Sequence, residues 1–335
     1  MVVVYPYMRR LNREFAKCCS QLIIWLGVVI IMLLMTGCAM DWADGEASAL
    51  FEPWVEVRGG QMSISSGGLN SDFIVLQRPV AISVQGNDLF LIDMGLRMIL
   101  RYELLQQTLS PFQSMIPITE NMSIFASSDE SVYITAPSVG KVMHLTKEGQ
   151  PLPSLIAPGS LAHPVSVAVD EGMGKVLVAD SLYNHIAVFS KAGGLLSIIK
   201  PPENVTISSI ATGGGGVYVF DRLARRVFVM NWNGGVRYSH LLSSIEDPGS
   251  MAVTREGLLF VADNFDNSVK LFSFHGNGVE LLGTIGGTDG KVESFGSIGG
   301  IAVAEDMLFV SDSVNSLIQS MLINRNHTRV GRTIE

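Results

Sequence analysis

The chain has 335 residues, 47% of them apolar and 16% charged, with a formal net charge of −8. That apolar content is enough to bury a large core and excludes a disordered chain. The acidic balance argues against nucleic acid as a partner, because phosphates need a basic footprint.

The first element is a leader. Arg9, Arg10, Arg13 and Lys17 precede the uncharged segment LIIWLGVVIIMLLM at 22–35, which is the order of an export signal. The leader is long, and Met8 is an alternative start. Residues 34–38 read LMTGC, which resembles the lipobox of bacterial lipoproteins: an apolar residue, small residues, then cysteine. The resemblance implies cleavage after residue 37 and lipidation of Cys38, so that 1–37 is a signal peptide. An uncleaved anchor over 22–40 is the alternative, since that stretch is nearly long enough to span a bilayer. Cysteine usage favours lipidation. Cys18 and Cys19 lie in the leader, leaving Cys38 as the only cysteine of the processed chain. A lone thiol in an oxidising envelope is a liability, and acylation consumes it. Acyl chains contribute about 0.8 kcal/mol per buried CH₂, so several of them hold a protein stably at a bilayer. Ala39 follows the cysteine where aspartate would favour inner-membrane retention in enteric-type sorting. The expected address is therefore the outer membrane, facing the periplasm or the cell surface. Processing removes four basic side chains and one acid, which takes the charge from −8 to −11.

Residues 38–71 read as the lipidated cysteine and a flexible tether. AMDWADGEASALFEPW is acidic and GGQMSISSGGLNSD is rich in Gly and Ser, as flexible linkers are. WVEVRG within it can form a short strand. From 72 to 335 the sequence repeats. LFLID ends at Asp93, VYITA at Ala136, VLVAD at Asp180, VYVFD at Asp221, LFVAD at Asp263 and LFVSD at Asp312, at spacings of 43, 44, 41, 42 and 49 residues. A period near 40 built of short strands predicts propeller blades. Each unit divides into an inner segment such as PVSVAV, the aspartate-ended strand, a third such as HIAVFS and a fourth such as LLSIIK. Gly-, Asn- and Asp-rich turns break the runs. The expected fold is all-β, a six-bladed β-propeller of four-stranded antiparallel blades. The ring must close, because an open end exposes a sheet edge. FIVLQ at 73–77 and the tail HTRVGRTI are the two candidates for the closing strand.

Segments such as HPVSVAVDEGMGKVLVADSLYNHIAVFSKAGG at 163–194 resemble NHL repeats: a proline-led inner strand, a V-x-V-A-D strand and an N-x-I-x-V-F continuation. The match is good at 164–193 and 248–273 and weak in the second and fourth units. Propellers of this kind include enzymes and binding scaffolds, so fold alone does not settle function. In the enzymatic relatives the chemistry sits over the central channel, near the start of the inner strands. The first column there reads Val80, Met122, Val165, Ile207, Gly249 and Gly299. The second reads Ala81, Ser123, Ser166, Ser208, Ser250 and Gly300, and the third Ile82, Ile124, Val167, Ser209, Met251 and Ile301. Zinc needs His, Cys or carboxylate ligands, and calcium usually takes carboxylates. The amidating-lyase relatives place histidines in the first column, and the lactonase-like relatives set carboxylates and asparagine around the channel mouth. The expectation is therefore no catalytic residue, no metal and no cofactor, with a metal-dependent lactonase or lyase as the alternative.

The remaining chemistry-bearing residues read as scaffold. The aspartate of Asp180 recurs at the strand end in five of the six units, and such an aspartate accepts hydrogen bonds from the following turn. Asp170 falls in a hairpin turn. His185 occupies a variable position and reads as surface. His163 lies at the channel mouth with Arg78, Glu120, Val205 and Asp247 as column mates, which is no ligand set. GGTDGK at 286–291 lacks the phosphate-loop spacing, and DNFDN at 263–267 has Phe265 where a calcium loop needs an oxygen. Binding is expected on the face that carries the loops after the aspartates, because loops on a stiff scaffold carry function. The candidate residues are Arg97, Tyr183, Arg222, Arg225, Arg226 and Phe265, types that anchor interfaces. The competing reading tucks Tyr183 and Phe265 between blades and leaves the arginines solvated. The expected partner is an envelope protein or a glycan, with membrane contact through the lipid on Cys38 and no nucleic acid.

Overall fold

A computed structural model describes residues 50–64, 68–112, 117–119, 121–275, 278–287 and 294–324. The leader, Cys38, Glu120, most of GGTDGK and the C-terminal tail lie outside them.

The strands form six sheets around a central axis. The N-terminal strand β1 (Phe51–Val57) is followed by a hairpin, β2 (Gly59–Ile64) and β3 (Gly68–Val75). Blade one is β4 (Pro79–Gln85), β5 (Asp88–Asp93), β6 (Met98–Glu103) and β7 (Thr108–Phe112); the β2–β3 hairpin extends its outer edge, with β2 parallel to β7. Blade two is β8 (Ile124–Ala126), β9 (Ser131–Ala136), β10 (Lys141–Thr146) and β11 (Pro151–Leu155). Blade three is β12 (Pro164–Asp170), β13 (Lys175–Asp180), β14 (His185–Ser190) and β15 (Leu195–Ile199). Blade four is β16 (Ile207–Gly213), β17 (Gly216–Asp221), β18 (Arg226–Met230) and β19 (Val236–Leu241). Blade five is β20 (Pro248–Val253), β21 (Leu259–Asp263), β22 (Ser268–His275) and β23 (Gly278–Gly286). Blade six is β24 (Ile298–Ala304), β25 (Met307–Asp312) and β26 (Leu317–Ile323). The sequence reading of six antiparallel, four-stranded blades holds.

Blade six takes its fourth strand from the N-terminus. β1 pairs antiparallel with β26, Phe51 opposite Ile323 and Val57 opposite Ile318. Neither closing candidate read from the sequence does this: FIVLQ lies at the end of β3 on blade one, and the tail lies outside the described residues. Among the described residues the sheet structure thus starts at Phe51 rather than 72, and the expected flexible tether loses its second half to β1–β3. Phe51 and Val57 are buried in the cores on either side of blade six, which gives β1 an apolar reason to stay.

Each blade packs between two neighbours, so both faces of its second strand are covered. Such strands read as continuous apolar runs rather than alternating ones; LFVAD of β21 and SVYITA of β9 are buried at every position. Six apolar clusters result, for example Leu177, Ala179 and Val188 of blade three against Val217, Val219 and Phe228 of blade four. Each fully buried large side chain contributes about 1.5–3 kcal/mol.

The inner strands face the axis with one unpaired edge, whose N–H groups need acceptors. Serine hydroxyls of the preceding blade supply them: Ser83 accepts from Ala126 N–H at 2.9 Å, Ser166 from Ile210 and Ser250 from Ile301, both at 3.2 Å. The small polar residues near the axis therefore bond neighbouring blades together as well as letting them approach.

Candidate functional site

The repeated aspartates organise one face of the ring. Asp180 is fully buried, and its carboxylate accepts from the N–H groups of Ala162 (2.6 Å), His163 (2.7 Å), Leu182 (3.0 Å) and Tyr183 (2.9 Å). It ties the loop entering the inner strand to the turn leaving the second strand. Asp93 does the same with Gln77, Arg78 and Leu96, Asp312 with Gly296, Ser297 and Asn315, and Asp221 with Thr206 and Ala224. The role reaches further than the following turn alone. Blade two has Ala136 at this position and substitutes a 3₁₀ turn, Pro137–Val139.

The turns are alike in backbone conformation. Four residues after each aspartate the chain enters the left-handed region: Arg97 (φ 55°), Asn184 (50°), Arg225 (51°), Asn267 (53°) and Ser316 (58°), with Gly140 (61°) in blade two. Asparagine and glycine tolerate this conformation, whereas arginine pays about 1–2 kcal/mol for it. Two of the candidate binding arginines are thus held in a strained but repeated geometry.

Asp263 adds a lysine. Besides bonding Glu246, Asp247 and Phe265 N–H, it lies 2.5 Å from the ammonium of Lys270, which also reaches Asp266 at 3.0 Å. Burial pushes the Asp263 carboxyl up, but the hydrogen bonds from Lys270 and the backbone hold it below the usual carboxylate range. In DNFDN an internal ammonium thus bridges the two carboxylates that a cation would need. Lys270→Met should destabilise the fold by about 1–3 kcal/mol, below the roughly 3–5 kcal/mol of breaking a buried pair from one side, because Asp263 keeps three backbone donors. A urea melt that shows no loss would contradict this.

The register corrects one blade of the axial columns. Ile207 pairs with Asp221 as Pro79 pairs with Asp93 and Pro164 with Asp180. Blade four therefore contributes Ser208, Ser209 and Ile210 to the three columns, and Thr206 rather than Val205 is the mate of His163. The third column becomes apolar throughout, with Ile82, Ile124, Val167, Ile210, Met251 and Ile301 all buried. The first-column residue is the extra residue of a β-bulge in blades one, three, four and six. Among the described residues no group of three or more His, Cys, Asp or Glu is placed to hold a metal.

The predicted rim residues separate into two kinds. Phe265 is 73% exposed and Tyr183 is 43% exposed, stacked on His185 at 5.5 Å; neither tucks between blades. Arg97 is exposed. The other arginines are engaged: Arg222 with Asp247 (2.6 Å), Arg225 with Glu246 (2.8 Å), and Arg226 with the carbonyl and hydroxyl of Ser239. His185 is buried, against the surface reading, as are its column mates Ser268 and Leu317, and its Nε2 lies 2.8 Å from the carbonyl of Ser160. His163 Nδ1 meets Ser181 Oγ at 2.8 Å. The sequence reading missed Leu223 and Val314, which are 82% and 67% exposed two residues after Asp221 and Asp312. The signal was available: Leu182 and Phe265 occupy the same offset from their aspartates.

The opposite face carries the turns between first and second strands and between third and fourth. Lys191 of blade three bridges Asp129 and Glu171 at 2.9 Å each, and Glu171 bonds Ser127 and Ser128 of blade two. Burial raises both carboxyls, but hydrogen bonds from Lys191 and the serines outweigh it and lower them; the same two acids raise Lys191 against its own burial. A lowered carboxyl stabilises the fold above its unfolded pKa and loses that contribution as pH falls through its folded value. The raised lysine contributes below its unfolded pKa and is lost only in strong alkali. The melting temperature should therefore drop from about pH 5 downward, and Lys191→Met should flatten that slope. Screening limits the clamp to about 1 kcal/mol. An unchanged slope in the variant would remove the clamp from the account.

A cleft of about 210 Å³ opens between blades one and two, lined by residues including Asn87, Asp88, Ser128, Glu130 and Lys147, with the last two ion-paired. Small-molecule sites usually hold about 300–1,000 Å³. Ser131 Oγ lies 3.0 Å from His144 Nε2, a nucleophile–base spacing. Both are buried; Ser131 lines the cleft, while His144 does not and stacks on Tyr133, which packs toward blade three. Burial lowers the His144 pKa.

The geometry defines a six-bladed propeller resembling NHL-type and virginiamycin B lyase propellers. A Bacteroides thetaiotaomicron protein of unknown function is 13% identical, covering 80% of this chain and 75% of that one, with a TM-score of 0.60. Virginiamycin B lyase from Staphylococcus aureus is 14% identical over 74% of this chain and 85% of its own, TM-score 0.53. The WD40 β-propeller domain of Doa1 is 14% identical over 77% and 82%, TM-score 0.53. These likenesses establish the fold. No family model and no curated protein matches the sequence.

Proposed function

We propose that this chain is a bacterial envelope lipoprotein, anchored through Cys38 at the outer membrane, whose propeller is a non-catalytic scaffold for a protein or glycan. The observation that carries the reading is the contrast between the two parts of one face. Its axial columns hold hydroxyl, apolar and glycine residues alone, while its aspartate-tied turns hold out Leu182, Tyr183, Leu223 and Phe265. The LMTGC segment supports the anchor. Crosslinking in intact cells tests the reading: Tyr183→Ala with Arg222→Ala and Arg225→Ala should abolish partner recovery, and unchanged recovery counts against this face. Stoichiometric zinc or calcium in the purified processed protein would instead favour the lactonase- or lyase-like enzyme.

A further inference from the structure

We infer that the joint between blades two and three is an acid-released catch: a proton on the buried His144 parts the two blades locally while the rest of the ring stays closed. The inference goes beyond the scaffold reading and does not depend on it.

Aromatic and hydroxyl groups build the catch. His144 of β10 is 7% exposed, lies flat on Tyr133 with ring centroids 4.5 Å apart, and holds its Nε2 3.0 Å from Ser131 Oγ. Tyr133 is fully buried and belongs to the apolar cluster that blade two shares with Val169, Val176 and Phe189 of blade three. The histidine thus backs the ring that fills the joint. Neutral, it stacks and pairs with one hydroxyl. Charged, it needs an acceptor for each of two N–H groups and gives up most of its water, and a buried charge without such partners is costly.

Three charges bear on that cost. Lys191 of blade three bridges Asp129 of blade two and Glu171 of its own blade, and Glu171 bonds Ser127 and Ser128 of blade two. Burial lowers the His144 pKa most; Asp129 and the Pro153 carbonyl raise it, and Lys191 lowers it again. Burial likewise pushes the Tyr133 hydroxyl up to about 12, so it stays neutral. Glu130 and Lys147, also of blade two, pair with each other along the cleft on the blade-one side. A lowered histidine stabilises the closed joint above its ordinary value of about 6.5 and loses that contribution as pH falls through its folded value. The lowered carboxyls of Asp129 and Glu171 follow in the same direction at lower pH. Once they take protons, Lys191 and His144 remain as two cations without their anions. The losses fall on one joint.

His240 is the rival sensor. Burial and then Arg226 lower its pKa, and its ring meets Phe274 of blade five at 5.5 Å. It stands on the outer strand β19 and is only half-buried, so its charged form keeps part of its water. His144 has no such relief.

The test follows hydrogen exchange of the purified full chain from pH ~6.5 to ~5.5, expressed as protection factors so that the intrinsic pH dependence of amide exchange divides out. Protection at β8–β10 should fall by up to about fivefold, the most that one proton of ordinary histidine affinity gives over that unit, while β20–β26 keep theirs. His144→Phe leaves a flat ring on Tyr133 without the proton and should remove the fall. His144→Gln, which keeps a partner for the Ser131 hydroxyl, should remove it too and serves alone if the phenylalanine variant does not fold at neutral pH. His240→Phe should leave the fall in place. A fall that persists in the His144 variants, one shared equally by all six blades, or one removed by His240→Phe would overturn the inference.

Discussion

Gly299→Ala is expected to cost about 3 kcal/mol or more, and to leave little folded protein if the chain has ordinary marginal stability. A Cβ built on Gly299 would lie 2.5 Å from the carbonyl oxygen of Pro79 and 2.8 Å from the Cα of Val80. Both are backbone atoms of β4, the inner strand of blade one, so no flexible side chain can move aside. Gly300 is also tight, with Ala81 Cα at 3.2 Å. This is where blade six meets blade one, and a closed ring has no free end through which to relax a displaced strand. Gly86→Ala is the control. Its Cβ meets nothing within 4 Å and its φ is 58°, so the cost is only the strain of the left-handed conformation, about 1 kcal/mol. Urea denaturation of the two variants should differ clearly in midpoint at equal slope; equal midpoints would mean that the junction can yield.

Asp180→Ala is the second large effect, expected at about 3–5 kcal/mol. It strips a buried acceptor from four backbone N–H groups, and orphaned buried donors keep their full desolvation penalty. The cost should follow the number of donors. Asp221 accepts two backbone bonds, at 3.2 and 3.1 Å, so Asp221→Ala should cost visibly less. Asp180→Asn should fall between, because the amide keeps one acceptor and turns NH₂ toward the remaining donors. If Asp180→Ala and Asp221→Ala prove equal, the carboxylates do not work by counting bonds and the local account fails. The same carboxylates hold the turns that present Leu182 and Leu223. A locally loosened rim should therefore show first as faster hydrogen exchange at residues 181–184, before global unfolding.

The blades were legible because their second strands repeat one apolar run and one aspartate at a spacing fixed by a shared architecture. The closing strand was not. FEPWVEV is an outer strand buried only at its two ends, with two glutamates and a proline, set in an acidic and glycine-rich stretch, so nothing in its composition separates it from a tether. Its partner lies more than 260 residues away, where local pattern has no reach. Blade four slipped by one residue for a related reason: Ile207 stands where blades one, three and five place proline, so no proline marks the strand start. His185 misled because its column mates vary. The position itself is covered, with Ser268 and Leu317 buried in the same column, and varied side chains do not show that. On the rim, arginine chemistry drew the reading toward Arg222 and Arg225, which the fold pairs with Asp247 and Glu246. The quieter leucine and valine at a constant offset from the aspartate carry the uncovered surface.

On the proposed reading, function lies on the outer turns of one face, and the axis holds the ring together. Two levels of structure meet there. Buried carboxylates fix the turn backbones, and fixed turns can hold apolar side chains in water without collapse into the core. Hydrogen exchange tests this most directly, comparing the propeller in native envelope membranes with the purified processed protein. Protection gained in the membranes and confined to 181–184, 222–225, 264–267 and 313–316 is the predicted result. Protection gained instead at the axial strands, or at the turns of the opposite face, would contradict the account.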